Sequence, residues 1–107
     1  MKSLQGMSIL ITGGGSGIGF GTARHCIERG ARVTICGRRP DKIEAAADQL
    51  GPNCHGVAAD ITVASDRQKL IAATLAHGGQ VDALINNAGN MYRGAITELE
   101  ESSLQEI

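Results

Sequence analysis

The chain has 107 residues, with 10 Lys and Arg against 11 Asp and Glu and a formal net charge of −1. That length allows one domain with one modest core, and 42% hydrophobic content favours a folded chain over a disordered one. The near-neutral balance gives no reason to expect nucleic acid as a partner, no apolar run is long enough to cross a membrane, and the N-terminus lacks a signal-peptide pattern.

Met7 to Thr12 read as a first strand, apolar enough to be covered on both faces. A helix is predicted from Gly17 to Arg29, with Phe20, Ala23 and Ile27 on one face and Gly30 as its C′ residue. His25 falls on the solvated side of that helix. Ala31 to Cys36 give a second strand, with β-branched Val33 and Ile35. After the loop Gly37-Arg38-Arg39, Pro40 suits the first position of a second helix. Ile43, Ala46, Ala47 and Leu50 form its apolar stripe, and Gly51-Pro52 stop it.

Cys54 to Ala59 form a weaker third strand that ends at Asp60. A third helix is predicted from Thr62 to His77, with Leu70, Ile71, Thr74 and Leu75 facing inward. Ser65-x-x-Gln68 has the form of a capping box, and Thr62 is an equally good cap. Val81 to Ile85 form a fourth strand, which runs into Asn86-Asn87-Ala88-Gly89. Thr97 to Ile107 have the spacing of another helix. Cys26, Cys36 and Cys54 are an odd set with no C-x-x-C spacing. They predict buried free thiols and a cytoplasmic setting, with neither a metal site nor a disulfide framework.

Strands alternating with helices through short connections predict an α/β fold: a three-layer αβα, Rossmann-type, doubly wound parallel sheet. The expected strand order is 3-2-1-4, with a ligand at the carboxyl ends of the strands near the switch point. Between the first strand and the first helix lies Thr12-Gly13-Gly14-Gly15-Ser16-Gly17-Ile18-Gly19. Glycines permit backbone angles that a Cβ opposes and let the main chain approach a ligand, while the helix head behind them suits a pyrophosphate. No three of these glycines have the spacing G-x-G-x-x-G, and no Lys-Ser or Lys-Thr follows to make a Walker A loop.

At the end of the second strand, a fold of this type that selects NAD carries Asp or Glu to hold the ribose 2′-OH. Here that position is Gly37, followed by Arg38 and Arg39. A guanidinium forks onto phosphate oxygens and a carboxylate repels them. The pair therefore points to NADP(H) over NAD, with Arg38 as chief contact and Arg39 in support.

Thr12-Gly13-x-x-x-Gly17-Ile18-Gly19 together with Asn86-Asn87-Ala88-Gly89 resembles the short-chain dehydrogenase/reductase family, over Met7 to Ile107. The resemblance implies cofactor contacts from Thr12, Gly13, Gly15, Ser16, Gly17, Ile18 and Gly19, and from Asn87, Ala88 and Gly89. It also implies that Asp60 and Ile61 meet the adenine ring, with capping of the third helix as the alternative role of Asp60. The implied activity is hydride transfer between NADP(H) and a small carbonyl or alcohol, as in a 3-oxoacyl reductase, by a protein that is a homo-oligomer when complete.

The family's chemistry uses a Ser and a Tyr-x-x-x-Lys pair. The only tyrosine here is Tyr92, with Ile96 four residues on, so no catalytic residue is carried over. Residues 1–107 thus read as the cofactor-binding half of a single domain, with the catalytic half absent, as in a truncated product or partial sequence. The alternatives are a non-catalytic NADP-binding module and an inactive fragment. Made alone, such a chain is expected to be marginally stable or to self-associate through an open sheet edge.

Overall fold

The computed structural model describes residues 4–15 and 17–87. Ser16, Ala88, Gly89, Tyr92 and the helix expected from Thr97 to Ile107 lie outside the described residues. The elements follow in strict alternation: β1 (Ser8–Thr12), α1 (Gly17–Glu28), β2 (Arg32–Gly37), α2 (Pro40–Leu50), β3 (Cys54–Ala58), α3 (Ala64–Gly78) and β4 (Ala83–Asn86). The strands form one sheet in the order β3-β2-β1-β4, the predicted order, and every pairing is parallel.

The two faces of the sheet are read from alternate residues of each strand. Ile9 and Ile11 of β1 and Val33 and Ile35 of β2 turn to one side, where Ala23 and Cys26 of α1 and Ile43 and Ala46 of α2 close a core. Leu10, Cys36 and Val57 turn to the other side and meet Leu70 of α3. These are the two helical layers of a three-layer αβα arrangement. β1 is buried along its whole length because it has a strand on each side and helices above and below. β4, at one edge of the described sheet, is only half-buried.

Register decides where the site lies. Thr12 pairs with Cys36 on one side and with Asn86 on the other, and Gly37 pairs with Ala58. The segments leaving β1, β2, β3 and β4 therefore emerge on one rim: Gly13, Arg38, Ala59 and Asn87. Ala59 N–H donates to Gly37 O at 2.9 Å, which ties the exits of β2 and β3.

All three cysteines are buried and free. Burial pushes the Cys36 and Cys54 thiols up to about 11 and raises that of Cys26 as well, so they are inert core groups. Gly30 has the left-handed φ of 92° expected of a residue that ends a helix, and its N–H donates to Ile27 O.

The third helix departs from expectation in two ways. It begins at Ala64, and Val63 is its N-cap without a side-chain bond, so neither Ser65-x-x-Gln68 nor Thr62 caps it. Thr62 is instead drawn back onto Asp60, with both its N–H and its hydroxyl donating to Asp60 Oδ1. Leu75 is exposed rather than inward, while Leu70 and Thr74 are buried as expected. Gly78 sits so close to Ser8 on β1 that a Cβ there would strike the Ser8 side chain. The C-terminal turn of α3 is thus held close against β1 at Gly78.

No helix among the described residues is long and apolar enough to cross a membrane, and no group of His, Cys, Asp or Glu among them could hold a metal ion.

Candidate functional site

The rim at the carboxyl ends of β1 and β4 is fixed by side chains. Thr12 Oγ1 donates to Asn86 Oδ1 at 2.8 Å and accepts from Asn87 N–H at 3.0 Å. Asn87 Nδ2 donates to Gly13 O at 3.4 Å. A threonine ending one strand and two asparagines ending its neighbour thus lock the start of the glycine loop. The other side of the loop is tied by Gly13 N–H and Gly14 N–H, which both donate to Cys36 O at 2.9 and 3.3 Å.

Thr12→Val keeps shape but removes the hydroxyl from this node. It should cost about 1–3 kcal/mol in urea unfolding, while Thr12→Ser should lose much less. Equal losses in the two variants would show that the hydroxyl is not what holds the rim.

The glycines serve different ends. Gly13 and Gly17 have φ of 69° and 59°, the left-handed turn that a Cβ disfavours. A Cβ on Gly14 would enter Ile35 of the core, so Gly14 lets the loop lie down on the sheet. Gly19 is buried in the first turn of α1, where a Cβ would collide with Gly13 O and stand 2.7 Å from Asn87 Nδ2. Gly19 thereby lets the helix head close over the loop. Ile18 beside it is 74% exposed, an uncovered apolar side chain on the first turn of the helix.

Next to the loop a cleft of about 450 Å³ is lined by Gly13, Gly15, Gly37, Arg38, Arg39, Lys42 and Ile43. It brings together the glycine loop and the two arginines predicted to face it. Its floor is bare backbone: a Cβ on Gly15 or Gly37 would press on the Ile43 side chain at 3.3 and 3.0 Å. Its walls carry three cations. The third, Lys42, escaped the sequence reading; it stands in the first turn of α2, whose N-cap is Arg39.

Asp60 lies just beyond, in the turn after β3. The Thr62 hydroxyl and N–H that donate to Asp60 hold its carboxyl below the usual range, and the nearby Arg38 charge acts in the same direction. Asp60 does not cap α3, whose N-cap is Val63.

The structure thus places Thr12, Gly13 and Asn87 in one hydrogen-bonded node and Gly19 against it. It places Gly15, Arg38 and Arg39 on the adjoining cleft, and Asp60 and Ile61 on the neighbouring turn. Gly17 and Ile18 begin α1. The site is a cradle of exposed backbone with a basic wall, suited to a phosphorylated ligand.

Comparison with known proteins agrees with this geometry. The family described as short chain dehydrogenase matches residues 7–107. Serine 3-dehydrogenase of Agrobacterium fabrum is 44% identical over 82 residues, covering 77% of this chain and 33% of that protein. A peroxisomal 2,4-dienoyl-CoA reductase of Arabidopsis thaliana is 32% identical over 107 residues, covering 97% of this chain and 36% of its own length. The crystal structure of a 3-ketoacyl-(acyl-carrier-protein) reductase from Brucella melitensis complexed with NADH superposes with a TM-score of 0.79. It is 42% identical, and the match covers 81% of this chain and 36% of that one. The chain spans about a third of the length of these relatives. By its sheet order, its glycine loop, its threonine–asparagine rim and its match over nearly all of its length, the chain belongs to the short-chain dehydrogenase family.

Proposed function

We propose that this chain is the NADP(H)-binding part of an oxidoreductase that moves a hydride between the nicotinamide and a small carbonyl or alcohol. The observation that carries the NADP(H) reading is the cleft in which Arg38, Arg39 and Lys42 surround bare Gly37. A carboxylate at the position of Gly37 would hold the 2′-OH of NAD. Glycine there leaves room for a phosphate, and the cations beside it supply the countercharge. The Brucella melitensis reductase was crystallised with NADH, so relatives of this chain accommodate a nicotinamide dinucleotide. The choice between NADH and NADPH rests on this chain's own basic cleft.

In this reading the Gly13–Gly19 turn takes the pyrophosphate, and Arg38 takes the 2′-phosphate with help from Arg39. Asp60 and Ile61 meet the adenine. Ile18 adds an exposed apolar contact beside the glycine turn, and the family resemblance adds Ser16, Ala88 and Gly89, which lie outside the described residues, as further cofactor contacts. The cofactor supplies the hydride chemistry, and this chain's residues bind and orient it. No Tyr-x-x-x-Lys pair occurs in the sequence, so the chain by itself binds the dinucleotide without turning over substrate.

The test is titration of the chain with NADPH and NADH, followed by fluorescence or calorimetry. NADPH should bind at least about tenfold more tightly, the equivalent of one charge-assisted hydrogen bond. Arg38→Asp should lower NADPH affinity about 10- to 100-fold and leave NADH within roughly threefold. Dissociation constants that move together would sink the assignment of Arg38.

A further inference from the structure

Ser8 of β1 and Thr34 of β2 share the strand parity of Leu10 and Cys36, which meet Leu70 of α3. Both therefore turn to the α3 side of the sheet. Ser8 pairs with Arg32 and Leu10 pairs with Thr34, so the two hydroxyl residues stand diagonally on adjacent strands. Strands about 4.8 Å apart that rise about 3.3 Å per residue put their Cα atoms about 8 Å from each other. Both residues are buried, at 1% and 0% exposure.

The helix lies close at this level. Gly78 sits against Ser8, where a Cβ would strike Ser8 Oγ. One turn earlier Thr74 is fully buried, and its hydroxyl donates to Leu70 O at 2.8 Å. Leu70 meets the sheet at Leu10 and Cys36, and Gly78 meets it at Ser8, so Thr74 passes over the stretch between. With its proton committed, Thr74 Oγ1 can only accept.

The main chain of Ser8 is satisfied. Its N–H donates to Asp82 Oδ2 and its carbonyl accepts from Asp82 N–H, both at 2.8 Å. The hydroxyl is not: Ser8 Oγ and Thr34 Oγ1 are buried with no hydrogen-bond partner among the described residues. A buried hydroxyl left so is as costly as a lost hydrogen bond. One water can satisfy both, because it donates twice and accepts twice.

We propose that the interface of α3 with β1 and β2 holds one internal water, bonded to Ser8 Oγ and Thr34 Oγ1, with Thr74 Oγ1 as its third partner. A bridging water spans roughly 5 Å between two oxygens, which suits hydroxyls standing out from Cα atoms about 8 Å apart. The water donates to Thr74 Oγ1 and exchanges one bond with each of the other two. The site lies toward the amino end of β1, away from the glycine loop. It serves the docking of α3 on the sheet and is independent of the cofactor reading.

The test is a double-mutant cycle in thermal melting, joined to a high-resolution crystal structure of the unaltered chain. Thr34→Val keeps the shape and removes the hydroxyl. It should lower the melting temperature by about 4–8 °C, the equivalent of one hydrogen bond, and Ser8→Ala should do the same. Because each variant strips the same water of a partner, the double variant should lose clearly less than the two losses added. The crystal structure should show one water within hydrogen-bond distance of both hydroxyls.

If the hydroxyls are unsatisfied, Thr34→Val replaces an unpaired group by a methyl and raises the melting temperature, which overturns the proposal. Fully additive losses would mean that the two hydroxyls have separate partners, and would overturn it as well. So would a crystal structure in which no water touches both, a result that holds even if a variant fails to fold.

Discussion

Replacing Gly19 by alanine should lower dinucleotide affinity roughly a hundredfold, equivalent to about two charge-assisted hydrogen bonds, and should cost about 1–3 kcal/mol of stability. Gly19 itself is not in a left-handed conformation, so the effect is one of space alone. The added methyl would meet Gly13 O and crowd Asn87 Nδ2, both part of the node that fixes the loop. Gly13 cannot retreat freely, because its N–H is bonded to Cys36 O and its carbonyl to Asn87. The helix head must therefore lift away from the turn, which separates the backbone groups meant to share one pyrophosphate. Gly21, two residues on, faces open space. Gly21→Ala should leave binding unchanged and stabilise α1 by about 0.5–1 kcal/mol, because alanine is the better helix former. Titration and urea unfolding of the two variants separate the site from the helix. Unaltered NADPH affinity in Gly19→Ala would mean that the phosphates do not sit on this turn.

Much of this fold could be read from the order of residues because neighbours in sequence become neighbours on the rim. Short apolar runs alternating with helical patterns predicted the parallel sheet, and right-handed crossovers with the switch point of a doubly wound fold predicted its order. The motifs at Thr12 to Gly19 and at Asn86-Asn87 lie at strand ends, and register then brings them together.

What escaped the sequence was set by side-chain reach. Lys42 reads as one more solvated helix residue until α2 is laid beside Gly15 and Gly37. Asp66 and Arg67 lie six residues from their partners, across the start of α3, where no local pattern announces a bond to Asp60 or Ile61. Ser65 and Thr62 had good capping chemistry, yet Asp60 held Thr62 first. Leu75 had the right period for burial, but the described neighbours of α3 cover Leu70 and Thr74 and leave Leu75 exposed.

The largest loss of stability is expected from Ile11→Ala. Ile11 lies in the central strand, fully buried, among residues brought by α1, α2 and β2. Strands flank it on both sides, so the hole cannot close by a loop moving in. Truncation removes transfer free energy and leaves a cavity, together about 2–5 kcal/mol. Folded domains are stable by only about 5–15 kcal/mol, and at roughly 4–8 °C per kcal/mol the variant should melt about 8–40 °C lower. Ile18 is the control: the same side chain, seven residues on, but 74% exposed. Ile18→Ala should shift stability by no more than about 0.5 kcal/mol. On the dinucleotide reading it should still weaken NADPH binding, because an apolar side chain left uncovered beside a phosphate turn has the cofactor as its partner. Calorimetric melting and NADPH titration of both variants would show the two effects trading places. A large loss of stability in Ile18→Ala, with binding intact, would place that side chain in the core and remove it from the site.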